Sequence, residues 1–270
     1  MKKLLITAGL PRSSFYYHLD HLNEPEKHSG EQEVIKQICI EHKGRYGYRR
    51  VTIELRHRGF STNHKLVMKL MKQAHLTCRL RAKKYRSYQG TLGKIAPNLL
   101  QRDFRAVRPN VKWTTDITEF KLLGQKLYLS PIMDLFNSEI VSFSLSSNPS
   151  FHPVTEMLKV AFQKIPDNTR LILHSDQGWQ YQMRSYQKML KDKGIRQSMS
   201  RKGNCYDNSV MENFFGILKS EFYHNKRFIS VEQFSMELSE YIDYYNNRRI
   251  KVKLKGLSPV QFRTQSFISS

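Results

Sequence analysis

Residues 171–181 read LILHSDQGWQY and combine a short apolar run with a carboxylate just after it. The run Leu171–Leu173 is typical of a buried strand, and Asp176 falls where that strand is expected to end. The second decisive stretch is NCYDNSVMENFFGILKSE, residues 204–221, which is patterned as a helix and carries Glu212. Thirty-five residues lie between the two acids. The strand and the helix therefore each present one acid.

A third acid, Asp116, lies upstream in VKWTTDITEF, a run of strand-forming residues. Each acid taken alone is also typical of a surface carboxylate, but two strand acids and one helix acid can converge in a mixed α/β domain. A hard cation such as Mg²⁺ binds clustered oxygens and keeps positions open for phosphate and water. Two divalent ions about 3.5–4 Å apart can hold the attacking and leaving oxygens of a phosphodiester in line. We therefore predict Asp116, Asp176 and Glu212 as catalytic metal ligands.

The helix that carries Glu212 presents further groups on the same face. Asn208, Glu212, Phe215 and Lys219 follow one another in steps of four, three and four residues. Lys219 is predicted to hold a DNA phosphate beside the metal ions, and Asn208 to orient water or the strand end. The alternatives are that Lys219 is a solvated lysine and that Asn208 caps the helix.

Three more residues near the strand acids are assigned by position. His174 precedes Asp176 by two residues and so shares its strand face, where it either supports the site or is a structural histidine. Gly178 is expected to let the backbone approach closely after Asp176. Asp134 competes as a ligand, but the turn-forming residues after it favour a turn-initiating aspartate.

The composition favours a nucleic-acid partner. Lys and Arg number 45 against 23 Asp and Glu in 270 residues, which gives a net charge of +22 and a pI near 9.9. A positive field of this size attracts polyanions, nucleic acid first and an acidic membrane surface second. Hydrophobic residues make up 39% of the chain and aromatic residues 11%, which argues for a folded body and against a disordered basic tail.

The cysteines predict no disulfide framework and no zinc finger. Cys39, Cys78 and Cys205 are far apart, and none belongs to a CxxC or paired His/Cys cluster. This usage fits a reducing cytoplasm. The apolar run Leu4–Leu10 is short and lacks a small-residue cleavage site, so neither a signal peptide nor a membrane span is expected.

The chain is expected to divide into five segments. The opening segment is either the tail of a longer helical region or a frayed terminus. The predicted order is a helical segment and linker (1–30), a helix-turn-helix domain (31–77), a basic linker (78–108), a catalytic core (109–228), and a carboxyl-terminal helix and tail (229–270).

Residues 31–77 are patterned as helix, glycine-containing turn, helix. Gly59 is expected to end one helix and Ser61 to cap the next. A helical hairpin with a solvated basic face is the alternative to DNA binding. The residues predicted to contact phosphates or base edges are Arg49, Arg50, Asn63, His64, Lys65, Lys69 and Lys72.

Residues 109–228 are predicted to be an α/β (α+β mixed) domain with a mixed five-stranded sheet flanked by helices. Three strands form an antiparallel meander, and helices then alternate with two further strands. A helix from Ser209 to Tyr223 and a helix capped by Ser230 complete the body. The predicted strands are Trp113–Phe120, Lys126–Met133, Glu139–Leu145, Arg170–His174 and Ile195–Met199.

These motifs resemble a known family. The spacing of the three acids, with Lys219 seven positions after Glu212, is similar to that of DDE transposases and retroviral integrases. HSDQGWQY, SRKGNCYDNSVMENFFGILKSE and the terminal YNNRRIKVKLKGLSPVQF resemble the second-frame product of bacterial insertion sequences of the IS-three group. GRYGYRRVTIEL resembles the helix-turn-helix segment of that family. The zinc-binding HHCC module of retroviral integrases is missing, which favours the bacterial branch.

The resemblance implies a ribonuclease-H-like core, two Mg²⁺ or Mn²⁺ ions at the three acids, and cleavage and joining of element ends. It also implies double-stranded DNA partners (terminal inverted repeats and target DNA) and a homo-oligomer in the DNA complex. An upstream-frame protein or frameshift fusion and a cytoplasmic, nucleoid-associated location are further implications. Two other classes compete: a non-catalytic DNA-binding regulator with a decayed core, and a nuclease that hydrolyses without joining. The intact acids argue against the first, and joined products would exclude the second.

Overall fold

The computed structural model describes residues 5, 11–20, 28–76, 78, 95–224 and 226–268. The chain divides into two units, Met1–Cys78 and Arg79–Ser270. In its described residues the first unit is all-helical, and the second is built around a mixed sheet. Each unit has its own buried apolar core.

Short helices make up the described part of the first unit. They are α1 (Arg12–Asp20), α2 (Ser29–Glu41), α3 (Tyr48–His57) and α4 (His64–Gln73). Apolar residues spaced three and four apart on the last three helices form its core. These residues are Ile35, Ile38, Val51, Leu55, Val67, Leu70 and Met71. The predicted pair of helices joined by a short turn is confirmed.

The turn between α3 and α4 differs from the prediction at one residue. Gly59 follows the end of α3, as predicted, and has a positive φ of 87° that favours glycine. The cap of α4 is Asn63, whose Oδ1 accepts a hydrogen bond from the backbone N–H of Lys65 at 3.0 Å. The prediction that Ser61 caps this helix is wrong, because the helix begins only at His64.

One mixed sheet organises the described part of the second unit. Its strands are β1 (Lys112–Thr115), β2 (Thr118–Leu122), β3 (Gln125–Asp134), β4 (Ile140–Ser146), β5 (Ile172–Ser175) and β6 (Arg196–Met199). β3 pairs antiparallel with β1 and β2 along one edge and with β4 along the other. β1 pairs in parallel with β5, and β5 with β6. The described sheet has six strands where five are predicted, because the first predicted strand is divided into β1 and β2, which pair with the same edge of β3.

The first predicted strand, Trp113–Phe120, is interrupted at Asp116. β1 ends at Thr115, and β2 begins at Thr118. The Asp116 Oδ1 accepts a hydrogen bond from the backbone N–H of Ile117 at 2.7 Å, a local bond that competes with strand pairing. Asp116 therefore lies at a strand end and not in the middle of a strand.

Helices cover both faces of the sheet. They are α5 (His152–Phe162), α6 (Trp179–Gln182), α7 (Arg184–Asp192), α8 (Ser209–Leu218), α9 (Val231–Asn247) and α10 (Pro259–Ile268). α5 and α7 share one apolar cluster, and α8 and α9 share another. Ile132 and Met133 are adjacent on β3 but belong to different clusters, so the clusters lie on opposite faces.

Residues 95–100 of the predicted 78–108 linker pack against the core of the second unit. The Leu99 N–H donates to the Ser198 Oγ at 2.9 Å, and the Met199 N–H donates to the Pro97 carbonyl at 3.3 Å. Leu100 is buried. Residues 95–100 therefore pack beside the end of β6, whereas residues 79–94 lie outside the described residues.

The carboxyl-terminal segment docks on the turn between β3 and β4. The Asn137 Nδ2 donates to the Pro259 carbonyl at 2.9 Å, and Arg263 forms an ion pair with Glu139 at 2.7 Å. The helix α10 belongs to a region that the sequence analysis treats as a tail after one helix. Part of the terminal motif thus stabilises the core.

Two findings concern redox state and membranes. Cys39 and Cys78 are free thiols. In the part of the chain that the structure describes, no helix has the length and apolar character needed to cross a bilayer.

Candidate active site

Asp116 and Asp176 follow neighbouring strands at the same end of the sheet. β1 and β5 pair in parallel with a constant offset of 60 residues, which places Thr114 opposite His174. The same offset separates Asp116 from Asp176, so each acid stands two residues beyond this last pair. Neighbouring strands are about 4.8 Å apart, and residues two apart share a face. The pairing of β1 with β5 therefore places Asp116 and Asp176 just after neighbouring strands, at one end of the sheet.

The Asp176 carboxylate is held by the backbone just after it. The Gly178 N–H donates to Asp176 Oδ1 at 2.9 Å. Burial raises the pKa of Asp176, and this hydrogen bond partly offsets the rise. A carboxylate that burial makes costly to ionise is one whose charge a nearby cation would stabilise.

Asn208 ties the amino end of α8 to β1. The Thr114 Oγ1 donates to Asn208 Oδ1 at 2.7 Å, and Asn208 Nδ2 donates to the Thr115 carbonyl at 3.3 Å. The side chain is buried and makes no capping bond. Asn208 thus occupies the N-cap position without a side-chain capping bond, and its side chain is not exposed for contact with DNA. Instead it fixes to β1 the amino end of α8, the helix that carries Glu212 one turn further on.

Lys219 begins the π-helical turn Lys219–Tyr223, where the sequence predicts a continuous helix. Its ammonium lies 5.3 Å from the centre of the Phe120 ring. Glu221, in the same turn, accepts two hydrogen bonds from Arg249 at 2.9 and 2.7 Å and one from the Tyr241 hydroxyl at 3.0 Å. This buried ion pair, which the sequence analysis does not identify, holds the turn that carries Lys219.

His174 is fully buried between the ends of β5 and β6. Its ring nitrogens lie 2.8 Å from the Ser198 Oγ and 3.1 Å from the Ser200 Oγ. Burial lowers the pKa of His174 to about 4, so the imidazole is neutral near pH 7. The ring links the two strands beside Asp176 and carries no charge there.

Asp134 initiates a turn, as the sequence favours. Its carboxylate accepts hydrogen bonds from the backbone N–H of Phe136 at 2.8 Å, from that of Asn110 at 2.7 Å, and from Trp113 Nε1 at 3.3 Å. β1 and β3 are antiparallel and pair Trp113 with Asp134. Asp134 therefore lies towards the opposite end of β1 from Asp116.

Asp207 is a buried acid that the sequence analysis does not single out. It accepts hydrogen bonds from Asn98 Nδ2 at 3.0 Å, from Arg102 Nε at 2.9 Å, and from the backbone N–H, Nε and Nη2 of Arg201, each at 3.0 Å. Arg201 is the main cause that holds the pKa of Asp207 well below its usual range. No local pattern predicts this cluster, because one of its arginines lies more than a hundred residues upstream.

The donors at this end of the sheet are of the type that a hard divalent cation takes. Asp116 and Asp176 supply carboxylate oxygens from adjacent strand ends, and α8 supplies Glu212. Among the described residues, no group of three or more His, Cys, Asp or Glu side chains is arranged to hold a metal ion. Asp116, Asp176 and Glu212 therefore match a hard divalent cation in the type of donor atom and in the elements that carry them.

The predicted DNA-contact residues of the first unit lie on or next to α3 and α4. Those on α4 and at its start are exposed: Asn63, His64, Lys65, Lys69 and Lys72. Arg49 is exposed, and its Nε donates to the Tyr48 hydroxyl at 3.2 Å. Arg50 is half-buried, with its guanidinium 4.8 Å from the centre of the Tyr46 ring.

Family models match both units. One model described as "Integrase core domain" matches residues 106–205, and a second with that description matches residues 212–267. A model described as "HTH-like domain" matches residues 28–84. The integrase-core matches together include Asp116, Asp176 and Glu212.

Relatives are similar to this chain over most of its length. The InsK protein of insertion sequence element IS150 from Escherichia coli K12 is 52% identical over 268 residues, which cover 99% of this chain and 95% of the relative. The transposase InsF of insertion sequence IS3A from the same organism is 36% identical over 236 residues, 86% of this chain and 82% of the relative. A transposase-like protein of Haemophilus influenzae is 58% identical over 204 residues, 76% and 94% of the two chains.

A solved structure shares the fold. The simian T-cell lymphotropic virus intasome, in complex with PP2A regulatory subunit B56 gamma, is similar with a TM-score of 0.51 and 17% identity. The match covers 85% of this chain and 74% of that chain. It confirms the predicted mixed α/β, ribonuclease-H-like class. With relatives matched over nearly the whole chain and integrase-core models spanning all three acids, this chain belongs to the IS-three group of insertion-sequence transposases, which are DDE-type polynucleotidyl transferases.

Proposed function

We propose that this transposase cleaves the ends of its own insertion sequence and joins the freed 3′-hydroxyl to a target strand. Asp116, Asp176 and Glu212 are the proposed metal ligands. The observation that carries the assignment is the 60-residue offset, common to the pairing of β1 with β5 and to the two aspartates. The bonds of Asn208 support the assignment of the third acid, Glu212, because they hold the amino end of α8 against β1.

In the first step, water attacks the phosphorus at the element end. A bond forms between the water oxygen and phosphorus, the bond to the 3′ oxygen breaks, and that oxygen leaves as a hydroxyl. In the second step the oxygen of that 3′-hydroxyl bonds to a phosphorus of the target strand, the bond from that phosphorus to its own 3′ oxygen breaks, and the displaced oxygen takes up the proton and leaves as a hydroxyl. Two bound Mg²⁺ or Mn²⁺ ions would neutralise the phosphate and lower the pKa of the attacking oxygen.

The residues of the chain have separate tasks in this scheme. Gly178 orients Asp176 through its N–H, and Asn208 orients the helix of Glu212. Lys219, seven residues after Glu212, is proposed to bind a DNA phosphate as a point charge. His174 keeps β6 bonded to β5 without adding charge to the site.

The first unit is proposed to bind the terminal inverted repeats. The exposed basic residues of α4 suit phosphates and base edges. The two ends of an element must be brought together, so we propose a homo-oligomer on DNA. We also propose that the chain acts with a protein encoded by an upstream frame, or as a fusion to it. Its proposed place of action is nucleoid DNA in the cytoplasm.

Strand transfer is the measurement that tests the reaction. The purified full chain is incubated with labelled element-end duplex, target plasmid and Mg²⁺. Joined products should form with wild type and not with Asp176→Asn or Glu212→Gln, because both variants keep side-chain shape and lose a charged ligand. Glu240→Gln changes an exposed glutamate on α9 and is the matched control.

The outcomes separate the competing classes. Nicked DNA without joined products would favour a nuclease. Products from Glu212→Gln at the wild-type rate would overturn the assignment of the acids. Binding without any cleavage, even when the upstream-frame protein is supplied, would favour a DNA-binding regulator.

A further inference from the structure

Two arginines are held half-exposed on the surface by one buried acid. The Asp207 carboxylate has no exposed surface, whereas 59% of the Arg201 side chain and 47% of the Arg102 side chain are exposed. The bonds to Asp207 use Nε and Nη2 of Arg201 and only Nε of Arg102. A guanidinium has five N–H donors in a rigid plane. Most of the N–H donors on both arginines therefore make no bond to Asp207.

These arginines lie at the end of the sheet where the catalytic acids are found. Arg201 follows β6 by two residues, at the same strand end as Asp176 on β5. The Ser200 N–H donates to the Ser175 carbonyl at 2.9 Å, and Gln177 Nε2 donates to the Ser200 carbonyl at 2.9 Å. The residue before Arg201 is thus bonded to both residues that flank Asp176.

The charges in this cluster favour an anion. Two guanidiniums face one carboxylate, which leaves one net positive charge at the surface. Asp207 stays ionised at working pH because Arg201 and Arg102 hold its pKa low. Arg binds phosphate through two parallel N–H···O bonds, and a fixed guanidinium loses little freedom when it does so.

From this arrangement we propose that Arg102 and Arg201, oriented by Asp207, form a binding site for a DNA backbone phosphate next to the cleaved bond. The inference rests on the proposed function, since it assumes that the DNA end reaches Asp116 and Asp176. Asp207 is a positioning residue in this site. Because it directly precedes Asn208, the bound phosphate and the helix of Glu212 share one anchor.

The test uses element-end duplexes in which the phosphates around the cleaved bond are replaced, one at a time, by uncharged methylphosphonates. Binding by the full chain is measured by fluorescence anisotropy over a salt series, without divalent ions. At one position the replacement should weaken wild-type binding about tenfold, as expected for a charge-assisted bond. The triple variant Arg102→Gln, Arg201→Gln, Asp207→Asn should not respond to that replacement.

The triple variant removes the acid together with its partners, so no buried charge is left unpaired. Its slope of log Kd against log salt should be smaller by about 1, the value for one lost phosphate contact. Arg102→Gln alone leaves the Arg201 and Asn98 bonds to Asp207 in place and should show part of the loss. Arg196→Gln, at the opposite end of β6, is the matched control and should behave as wild type.

Equal sensitivity of wild type and triple variant at every methylphosphonate position would overturn the site. A lost response in the triple variant and a reduced response in Arg102→Gln would support it even if wild type fails to cleave, in which case the proposed reaction is what fails. Conversely, wild type could cleave normally while the folded variants show the wild-type pattern of methylphosphonate sensitivity. That result would support the proposed reaction and exclude the phosphate site.

Discussion

The backbone N–H of Gly178 donates to Asp176 Oδ1 at 2.9 Å, and a Cβ at position 178 would lie only 3.0 Å from the same oxygen. The φ of Gly178 is −56°, a value that alanine adopts without strain. The missing side chain therefore matters for the position of the carboxylate and not for the conformation of the backbone.

Gly178→Ala is expected to lower the rate of element-end cleavage about tenfold, because even small misplacement of a reacting group is costly. Cleavage kinetics and a melting curve measure this. Gly216→Ala in α8, where an added Cβ has no atom within 4 Å, is the control. It should cleave at the wild-type rate and gain up to about 1 kcal/mol of stability. Equal rates for the two alanine variants would contradict the role of Gly178.

Mg²⁺ is expected to raise the melting temperature of the wild-type chain, because an ion that binds only the folded state stabilises it by mass action. Asp176→Asn should lose most of this shift, since it removes one charged ligand. Differential scanning fluorimetry over a Mg²⁺ series makes the measurement. Asp192→Asn, an exposed acid at the end of α7, should keep the full shift. The same shift in all three proteins would exclude Asp176 as a ligand.

Asn208→Ala is expected to slow cleavage while changing the Kd for element-end DNA by less than about twofold, because Asn208 is buried and bonded within the chain. It should also lower the free energy of unfolding by about 1–3 kcal/mol, since the Thr114 hydroxyl and Thr115 carbonyl lose a buried partner. Denaturant unfolding of Asn208→Ala, Thr114→Val and the double variant checks the contact. Strictly additive losses would show that the two side chains do not interact.

Arg249→Leu is expected to destabilise the chain by about 3–5 kcal/mol, because it leaves Glu221 buried without its partner. Both side chains of this pair are only 5% exposed. The neighbouring Arg248 is 67% exposed, so Arg248→Leu should change stability by less than about 0.5 kcal/mol. Urea unfolding of both variants provides the comparison. Equal losses of unfolding free energy in the two variants would mean that the buried ion pair contributes no more to stability than the exposed arginine.

Lys251 is expected to make stability depend on pH. Its ammonium donates to the Tyr245 hydroxyl at 3.0 Å. Burial, followed by the charges of Arg249 and Lys253, lowers the pKa of Lys251 from 10.5 to about 7. Between these two values the unfolded chain binds a proton that the folded chain does not. The free energy of unfolding should therefore fall as the pH falls from 10.5 to about 7.

Lys251→Met removes this titration while keeping a long apolar side chain. The difference in unfolding free energy between wild type and Lys251→Met should change from pH 10.5 to pH 7 and be constant below. Urea titrations at several pH values measure it. If the unfolding free energies of the two proteins depend on pH in the same way, the pKa of Lys251 is not lowered in the folded chain.

Local sequence patterns are sufficient to predict most of the helices and strands and the chemical groups that they carry. Apolar runs and turn residues predict the strands, because alternation and burial are local properties that neighbouring residues share. Asp176 at a strand end, Glu212 on a helix and the basic face of α4 were readable for the same reason. The fold class followed from the order of these elements, although the interruption at Asp116 did not.

Which residues come into contact depends on how the chain folds in three dimensions. The pairing of β1 with β5 puts Asp116 and Asp176 after neighbouring strands, and no pattern within either strand specifies its partner. The same holds for the bonds of Asn208 to β1, of Asp207 to Arg102, and of Glu221 to Arg249. These contacts join segments far apart along the chain. They form because burial of polar and charged groups is costly unless each finds a partner, a condition that only the folded chain satisfies.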